Sequence, residues 1–233
     1  MGSVVIWDVG GTLVDEAVGR KLYVERCLAA AGIPVTALLV PSTRAAEEVL
    51  RRQEQGPLWR TAEEEWAADF AFAAALLHGS GASDAQRQQF AAGINNYFDR
   101  YQLVPGIRTL LNELRDAGTI QGVVSNWPPS LKAFLDHHDL RRYFSVVIGS
   151  GECGVAKPNP AIFLQALAAL GVSPGDCIYV GDNRKHDLEP AEMLGMDVIH
   201  FDPRGRWQEA QCKDVSTLRE HLLKRLPHRS RSS

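Results

Sequence analysis

Three acidic residues lie at or shortly after the end of a short apolar run. Asp8 follows the apolar residues 4–7 and precedes a pair of glycines, and Asp182 follows residues 177–180 and Gly181. Asp187 comes five residues after Asp182. A carboxylate can attack an electrophile, and several carboxylates together are ligands that Mg²⁺ prefers. An isolated Asp8 is equally compatible with a simple turn residue, so its neighbours must decide.

A hydroxyl and a lysine occupy comparable positions. Ser125 follows the run at residues 120–124, and Lys157 precedes a helical pattern that begins at Pro160, where proline suits an early helical position. The carboxyl ends of parallel strands lie at one edge of a sheet, where ligands bind. We therefore expect Asp8, Ser125 and Asp182 to converge, with Lys157 within reach of them.

The predicted strands and helices around these residues alternate regularly. Beyond residue 105, helical patterns separate short apolar runs, and including the first run we predict five strands, at residues 4–7, 120–124, 144–148, 177–180 and 198–201. Such alternation implies right-handed crossovers and a parallel sheet. The fold class predicted is α/β, a Rossmann-like parallel sheet with helices on both faces.

A long helical insert interrupts this pattern. After Leu13 the sequence becomes helical, and residues 35–101 carry no strand signal but three amphipathic helical patterns. The insert is too long to be a simple loop. We predict a core domain formed by residues 1–15 and 102–233, and an all-helical domain formed by residues 16–101.

Composition restricts the partners and the compartment. The 233-residue chain has a formal net charge of −3, which gives no basic surface for nucleic acid. No apolar stretch approaches the roughly 20 residues that cross a bilayer, so no membrane association is expected. The four cysteines show no CxxC spacing and the amino terminus shows no secretory signal, which predicts free thiols and a cytoplasmic location.

Four motifs in order make the chain resemble a hydrolase of the haloacid dehalogenase (HAD) superfamily. The first motif is Asp8 with Thr12, the second is Ser125, the third is Lys157, and the fourth is GDxxxxD at residues 181–187. The resemblance spans nearly the whole chain, and the helical insert resembles the cap domain of that family.

The resemblance assigns roles to these residues. It implies that Asp8 is the nucleophile, that Thr12, Ser125 and Lys157 complete the catalytic set, and that the substrate is a small phosphorylated metabolite. It also implies a Mg²⁺ cofactor on Asp8, Asp182 and the Gly10 carbonyl, with Asp187 orienting a water or Lys157. The implied substrate-binding residues are Gly11, Ser125, Asn126 and Lys157.

One position departs from the family pattern. Phosphatases of the family usually carry an acid/base Asp two residues after the nucleophile, and this chain has Gly10 there. Positioned acid–base catalysis is worth about 10²- to 10⁴-fold, so low activity is expected unless Asp15, Glu16 or a substrate group replaces it.

Three alternatives follow from this departure and from the first motif. The chain could be a catalytically weak or inactive HAD-fold binding protein. It could also hydrolyse a phosphonate or another carbon–heteroatom bond, but residues 35–101 contain no lysine for the phosphonate mechanism, and Lys21 lies close to the nucleophile strand. Residues 8–12 also match the DxGGT turn of sugar kinases, which would leave residues 181–187 without a role.

Overall fold

A computed structural model describes residues 4–55 and 60–226 of the protein. The chain divides into two compact units. The core unit comprises Met1–Asp15 and Gln102–Ser233, and the helical unit comprises Glu16–Tyr101. None of the helices in the described ranges combines the length and the apolar character that a membrane span requires. All four cysteines carry free thiols.

The core unit is built on a five-stranded sheet in which every neighbouring pair is parallel. The strands of the molecule are β1 (Val4–Trp7), β2 (Val14–Glu16), β3 (Tyr101–Leu103), β4 (Ile120–Ser125), β5 (Val146–Gly149), β6 (Cys177–Gly181) and β7 (Asp197–His200). The large sheet has the order β5-β4-β1-β6-β7. The predicted α/β class with a parallel sheet is confirmed, and the predicted strand bounds differ from those observed by no more than two residues.

Ten α-helices accompany the strands in the described part of the chain. They are α1 (Arg20–Ala30), α2 (Val40–Gln55), α3 (Ala62–Leu76), α4 (Asp84–Asn95), α5 (Ile107–Asp116), α6 (Leu131–His137), α7 (Ser150–Cys153), α8 (Ala161–Leu170), α9 (Glu189–Met193) and α10 (Val215–Arg225). Short 3-10 segments cover Val35–Ala37, Tyr97–Arg100, Arg141–Tyr143 and Pro174–Asp176, and a π-helical turn covers Arg184–Leu188.

Helices cover both faces of the sheet. Successive residues of a strand point to opposite faces, so Val4 and Ile6 share one face and Val5 and Trp7 the other. Helix α8 packs its apolar residues against the face of Val4 and Ile6. On the other face, the Gln121 side chain links Trp7 of β1 to the backbone of α5. Both faces of β1 are thereby buried, which explains its unbroken apolar sequence.

The helical unit has a hydrophobic cluster of its own. The cluster draws on helices α1 to α4 and includes Leu28, Phe72, Leu77 and Phe90, which are all buried. The start of α4 is fixed by a capping box between Ser83 and Gln86. A set of amphipathic helices with a shared apolar centre is what the sequence pattern of this segment predicts.

The sequence pattern missed two short strands at the ends of the insert. The expectation that the chain becomes helical directly after Leu13 is wrong, because Val14–Glu16 forms β2 and pairs with Tyr101–Leu103, which forms β3. Each strand has three residues, which is too short to show a two-residue period. Their stability depends on a partner far away in sequence.

Candidate active site

The register of the sheet places the three polar strand ends side by side. Trp7 of β1 pairs with Val123 of β4 and with Val180 of β6. The three strands therefore run in step, and Ser125 and Asp182 each lie one register position beyond Asp8. Strand β1 is central, and the chain order reverses between β1 and β6, which is where open α/β sheets bind ligands.

Two side chains fix the carboxylate of Asp8. Ser125 Oγ donates to Asp8 Oδ1 at 2.9 Å, and Lys157 Nζ donates to the same oxygen at 2.7 Å. Thr12 Oγ1 lies 3.4 Å from the second oxygen, Oδ2. All four residues are buried. The structure thus brings together Asp8, Thr12, Ser125 and Lys157, which are the four residues predicted as the catalytic set.

Asp187 and Tyr179 hold the ammonium group of Lys157 from the other side. Lys157 Nζ donates to Asp187 Oδ1 at 2.5 Å and to the Tyr179 hydroxyl at 3.1 Å. The hydroxyl in turn lies 3.1 Å from Asp187 Oδ1 and 3.0 Å from the Val124 carbonyl, so it can donate to either of these acceptors. Burial alone would lower the pKa of Lys157, but the carboxylates of Asp187 and Asp8 outweigh it and raise that pKa. Lys157 therefore stays a cation.

The backbone of Lys157 is also fixed. Asn126 Oδ1 accepts from the Lys157 N–H at 2.7 Å, and Asn126 Nδ2 donates to the Lys157 carbonyl at 3.0 Å. This pair of bonds ties the loop before α8 to the end of β4. Asn126 therefore positions Lys157, and the predicted contact between Asn126 and substrate stays a prediction.

Three buried carboxylates meet at this edge of the sheet. One oxygen each of Asp8, Asp182 and Asp187 lies within 4.8 Å of the other two. Burial raises the pKa of Asp182 to about 7, the charges of Asp8 and Asp187 add to that rise, and Arg206 opposes it. Burial likewise raises the pKa of Asp8, against the lowering effect of Lys157. Such mutual repulsion among hard oxygen donors suits a divalent cation.

Two glycines let these acids approach the backbone. Gly11 has a φ of +86°, and a Cβ built on it would lie 2.8 Å from Cγ of Asp182. A Cβ on Gly181 would lie 2.6 Å from Cβ of Asp187. A larger residue at either position would displace an acid of the site. The glycines of the first and fourth motifs are therefore required by the packing of the site itself.

The space beside Gly10 is bordered by an aromatic ring. The nearest atom to a Cβ built on Gly10 is Cζ3 of Trp127, at 3.4 Å. Of the replacements considered above, Asp15 forms an ion pair with Arg204, and Glu16 lies 3.1 Å from Arg100. Each of these two carboxylates is therefore paired with an arginine side chain.

Sequence reasoning missed two residues of the site. Tyr179 lies in an apolar strand, and its only signal is a hydroxyl two residues before Gly181. Arg206, which forms an ion pair with Asp182, lies in the loop that follows β7. The rule that loops after parallel strands line the site could have indicated it.

The chain is similar in sequence to a known family of hydrolases. Residues 3–195 match the profile of the haloacid dehalogenase-like hydrolases. The chain is 33% identical over 170 residues to a phosphoserine phosphatase of Thermus thermophilus, a match covering 68% of this chain and 66% of that protein. It is 29% identical over 205 residues to a phosphoglycolate phosphatase of Salmonella paratyphi A, covering 82% of this chain and 77% of the relative.

Solved structures share the fold. The 2-haloacid dehalogenase from Pseudomonas syringae pv. Tomato DC3000 superimposes with a TM-score of 0.65 at 24% identity, covering 96% of this chain and 99% of that one. This fold therefore accommodates more than one reaction, and the side chains of the site must decide which reaction applies.

Proposed function

Because the chain belongs to the haloacid dehalogenase-like hydrolase family, we propose that this hydrolase cleaves a small phosphorylated metabolite through a phosphoryl group carried on Asp8. The observation that carries the proposal is that Ser125 and Lys157 both donate hydrogen bonds to one oxygen of Asp8. Asp182 and Asp187 lie close to the same carboxylate. The names of the two relatives, phosphoserine and phosphoglycolate phosphatase, support a small phosphate monoester as the substrate class.

The first step would be attack of an Asp8 carboxylate oxygen on phosphorus. The bond between phosphorus and the ester oxygen breaks, and the phosphoryl group remains on Asp8 as an acyl phosphate. Ser125 and Lys157 orient the carboxylate before attack, and the Lys157 cation offsets the negative charge on nucleophile and phosphate. Since Lys157 is held protonated by Asp187 and Asp8, its role is electrostatic and not that of a proton donor.

The second step would be attack of water on phosphorus, which releases inorganic phosphate and frees Asp8. Gly10 can neither protonate the departing ester oxygen in the first step nor take a proton from water in the second. The leaving group must then accept its proton from solvent or from the substrate itself. Both steps are expected to be slower than in relatives that carry an acid there, by about 10²-fold or more.

The proposal includes a magnesium ion as cofactor. Asp8, Asp182 and the Gly10 carbonyl would hold it, with Asp187 close by. The buried oxygen donors fit the preference of Mg²⁺ for hard ligands, since one oxygen of each of the three carboxylates lies within 4.8 Å of the other two. When bound, the ion supplies positive charge to the phosphoryl oxygens. This clustering of carboxylates supports a metal-dependent reaction over a metal-free one.

The test is to mix the protein with Mg²⁺ and a small aryl phosphate and to record intact-protein mass spectra. Because hydrolysis of the intermediate has no base, we expect the wild-type protein to accumulate a hydroxylamine-sensitive adduct with the mass of one phosphoryl group. Asp8→Asn should abolish both the adduct and turnover. Thr12→Ser, which keeps the hydroxyl beside Asp8, should retain the adduct.

The same measurement distinguishes the binding-protein alternative, which Gly10 favours. A protein that binds Mg²⁺ but forms no adduct and releases no phosphate across a panel of phosphoesters would be a HAD-fold binding module. Turnover that persists in Asp8→Asn would exclude the proposed nucleophile.

A further inference from the structure

Arg206 lies between two carboxylates of the core unit. Its guanidinium pairs with Oδ2 of Asp182, and its Nε lies 3.7 Å from Oδ1 of Asp202. The Arg206 side chain is 43% exposed, whereas the side chains of Asp182 and Asp202 are 9% and 0% exposed. A partly exposed cation is thus placed beside two buried acids.

One carboxylate oxygen of Asp202 accepts no hydrogen bond from the described residues. Its Oδ2 accepts from the Trp207 N–H at 2.6 Å, but Oδ1 is buried without a hydrogen-bond partner in the described part of the chain. A buried carboxylate oxygen without a donor is costly, and a small movement of Arg206 would satisfy it. Asp202 is therefore a second acceptor for the same guanidinium.

Asp182 is at the same time one of the three acids that suit a divalent cation. A guanidinium on Oδ2 of Asp182 occupies one of the two oxygens of a carboxylate that could ligate a metal, and its charge repels a second cation. Arg206 and the metal therefore compete for one carboxylate, and the apparent metal affinity falls by the fraction of molecules in which Arg206 holds it.

We propose that Arg206 is an exchangeable counter-ion of the site: it neutralises Asp182 in the metal-free protein and transfers to Asp202 when a divalent cation binds. This inference rests on the metal site of the proposed function. It assigns Arg206 and Asp202 to the control of metal affinity and not to the chemical step.

The test is isothermal titration of the full-length protein with Mg²⁺, without substrate. Arg206→Ala should lower the Kd for Mg²⁺ by about tenfold, because metal entry no longer requires displacement of the guanidinium. Asp202→Asn removes the charged alternative acceptor, so it should raise the Kd by about threefold or more. In the Arg206→Ala background, Asp202→Asn should leave the Kd unchanged.

Arg204→Ala is the matched control. It removes the same charge from the same loop, but the partner of Arg204 is Asp15, outside the three-acid group. Its Kd should change by less than about twofold. Asp182→Asn serves as the control that lacks an acid of the proposed metal site. The midpoint of thermal unfolding, measured in the presence of a chelator, verifies that each variant is folded.

Several results would overturn the inference. One is an unchanged or raised Kd for Mg²⁺ in Arg206→Ala. Another is an equal effect of Asp202→Asn in the wild-type and Arg206→Ala proteins, because Asp202 would then act only through its charge. Metal binding that is lost in Asp182→Asn but unaffected by Arg206→Ala would refute the counter-ion role alone. Absence of binding in the wild-type and Arg206→Ala proteins alike would refute the metal site of the proposed function as well.

Discussion

The individual residues of the site gather two carboxylates, a lysine and a serine hydroxyl in direct contact, and position 10 is glycine. Lys157 is held by two carboxylates and a tyrosine hydroxyl, and its backbone is held by Asn126. A group held by this many contacts has few alternative positions, which preorganises the charge around Asp8. In the proposed mechanism, Gly10 would limit proton transfer and would leave the electrostatic part of the site in place.

Gly10→Asp should restore the missing donor. The Trp127 ring borders the space but leaves room for a Cβ, since the nearest ring atom would lie 3.4 Å away. Turnover of a small aryl phosphate should rise by about 10²-fold or more, and the phosphoryl adduct on Asp8 should no longer accumulate. Steady-state kinetics and intact-protein mass spectra measure the two effects.

Gly10→Asn is the matched control, because it fills the same space without an ionisable proton. It should give no gain in turnover. If Gly10→Asp also gives none while Mg²⁺ remains bound, the missing acid is not what limits the reaction.

At the scale of elements, contacts between neighbouring helices and strands set the ionisation of several acids. In the helical unit, Asp69 of α3 accepts from Asn95 Nδ2 of α4 at 3.0 Å. Burial raises the pKa of Asp69 to about 6, and the nearby charge of Glu65 adds to that rise, against the Asn95 hydrogen bond. This acid therefore opposes folding of the α3–α4 pair at neutral pH.

The direction of the pH dependence of stability follows from proton binding. An unfolded Asp titrates near 3.9, so between about pH 4 and pH 6 the folded protein binds more protons than the unfolded chain. The contribution of Asp69 to stability therefore falls as pH rises through that window and remains lost above it. Asp69→Asn keeps the acceptor for Asn95 without the charge.

We expect Asp69→Asn to stabilise the protein at pH 7 by about 1 to 2 kcal/mol, after discounting for the partial exposure of the side chain, and to give no gain near pH 4. Thermal unfolding at both pH values measures this. Asp136→Asn, at an exposed position of α6, should show no such pH-dependent gain. A gain from Asp69→Asn that is equal at both pH values would show that the charge of Asp69 is not its cause.

At the scale of the whole molecule, the chain leaves and re-enters the core unit at adjacent points. The Ala17 N–H donates to the Arg100 carbonyl at 2.7 Å, next to the pairing of β2 and β3. Each unit also has a hydrophobic cluster made of its own residues. We propose that the helical unit acts as the cap that selects the substrate, while the core unit carries the phosphoryl chemistry.

Replacing residues 18–99 by a short glycine linker tests this division. Because the linker joins points that are already adjacent, the core unit should still unfold cooperatively and still form the Asp8 adduct with a small phosphoryl donor. Discrimination among phosphoesters should be lost. Circular dichroism and mass spectrometry report the two properties, and loss of cooperative unfolding would show that the core unit depends on the helical unit.

The fold class and the residues of the four motifs could be predicted from the amino-acid sequence alone. These follow from local patterns, because a buried strand must be apolar and the polar residue after it lies at the sheet edge whatever its partners are. The same reasoning singles out Asp8, Ser125 and Asp182. Lys157 and Asp187 do not directly follow a strand, and the order of the four motifs singles them out.

The connections among these groups could not be predicted from the sequence and become visible in the folded chain. The short strands β2 and β3, the hydroxyl of Tyr179 on Lys157 and the pairing of Arg206 with Asp182 each join residues far apart along the chain. The role of Asn126 as a support for Lys157 depends on contacts 31 residues apart. Such contacts depend on sheet register and side-chain packing, which no local period in the sequence records.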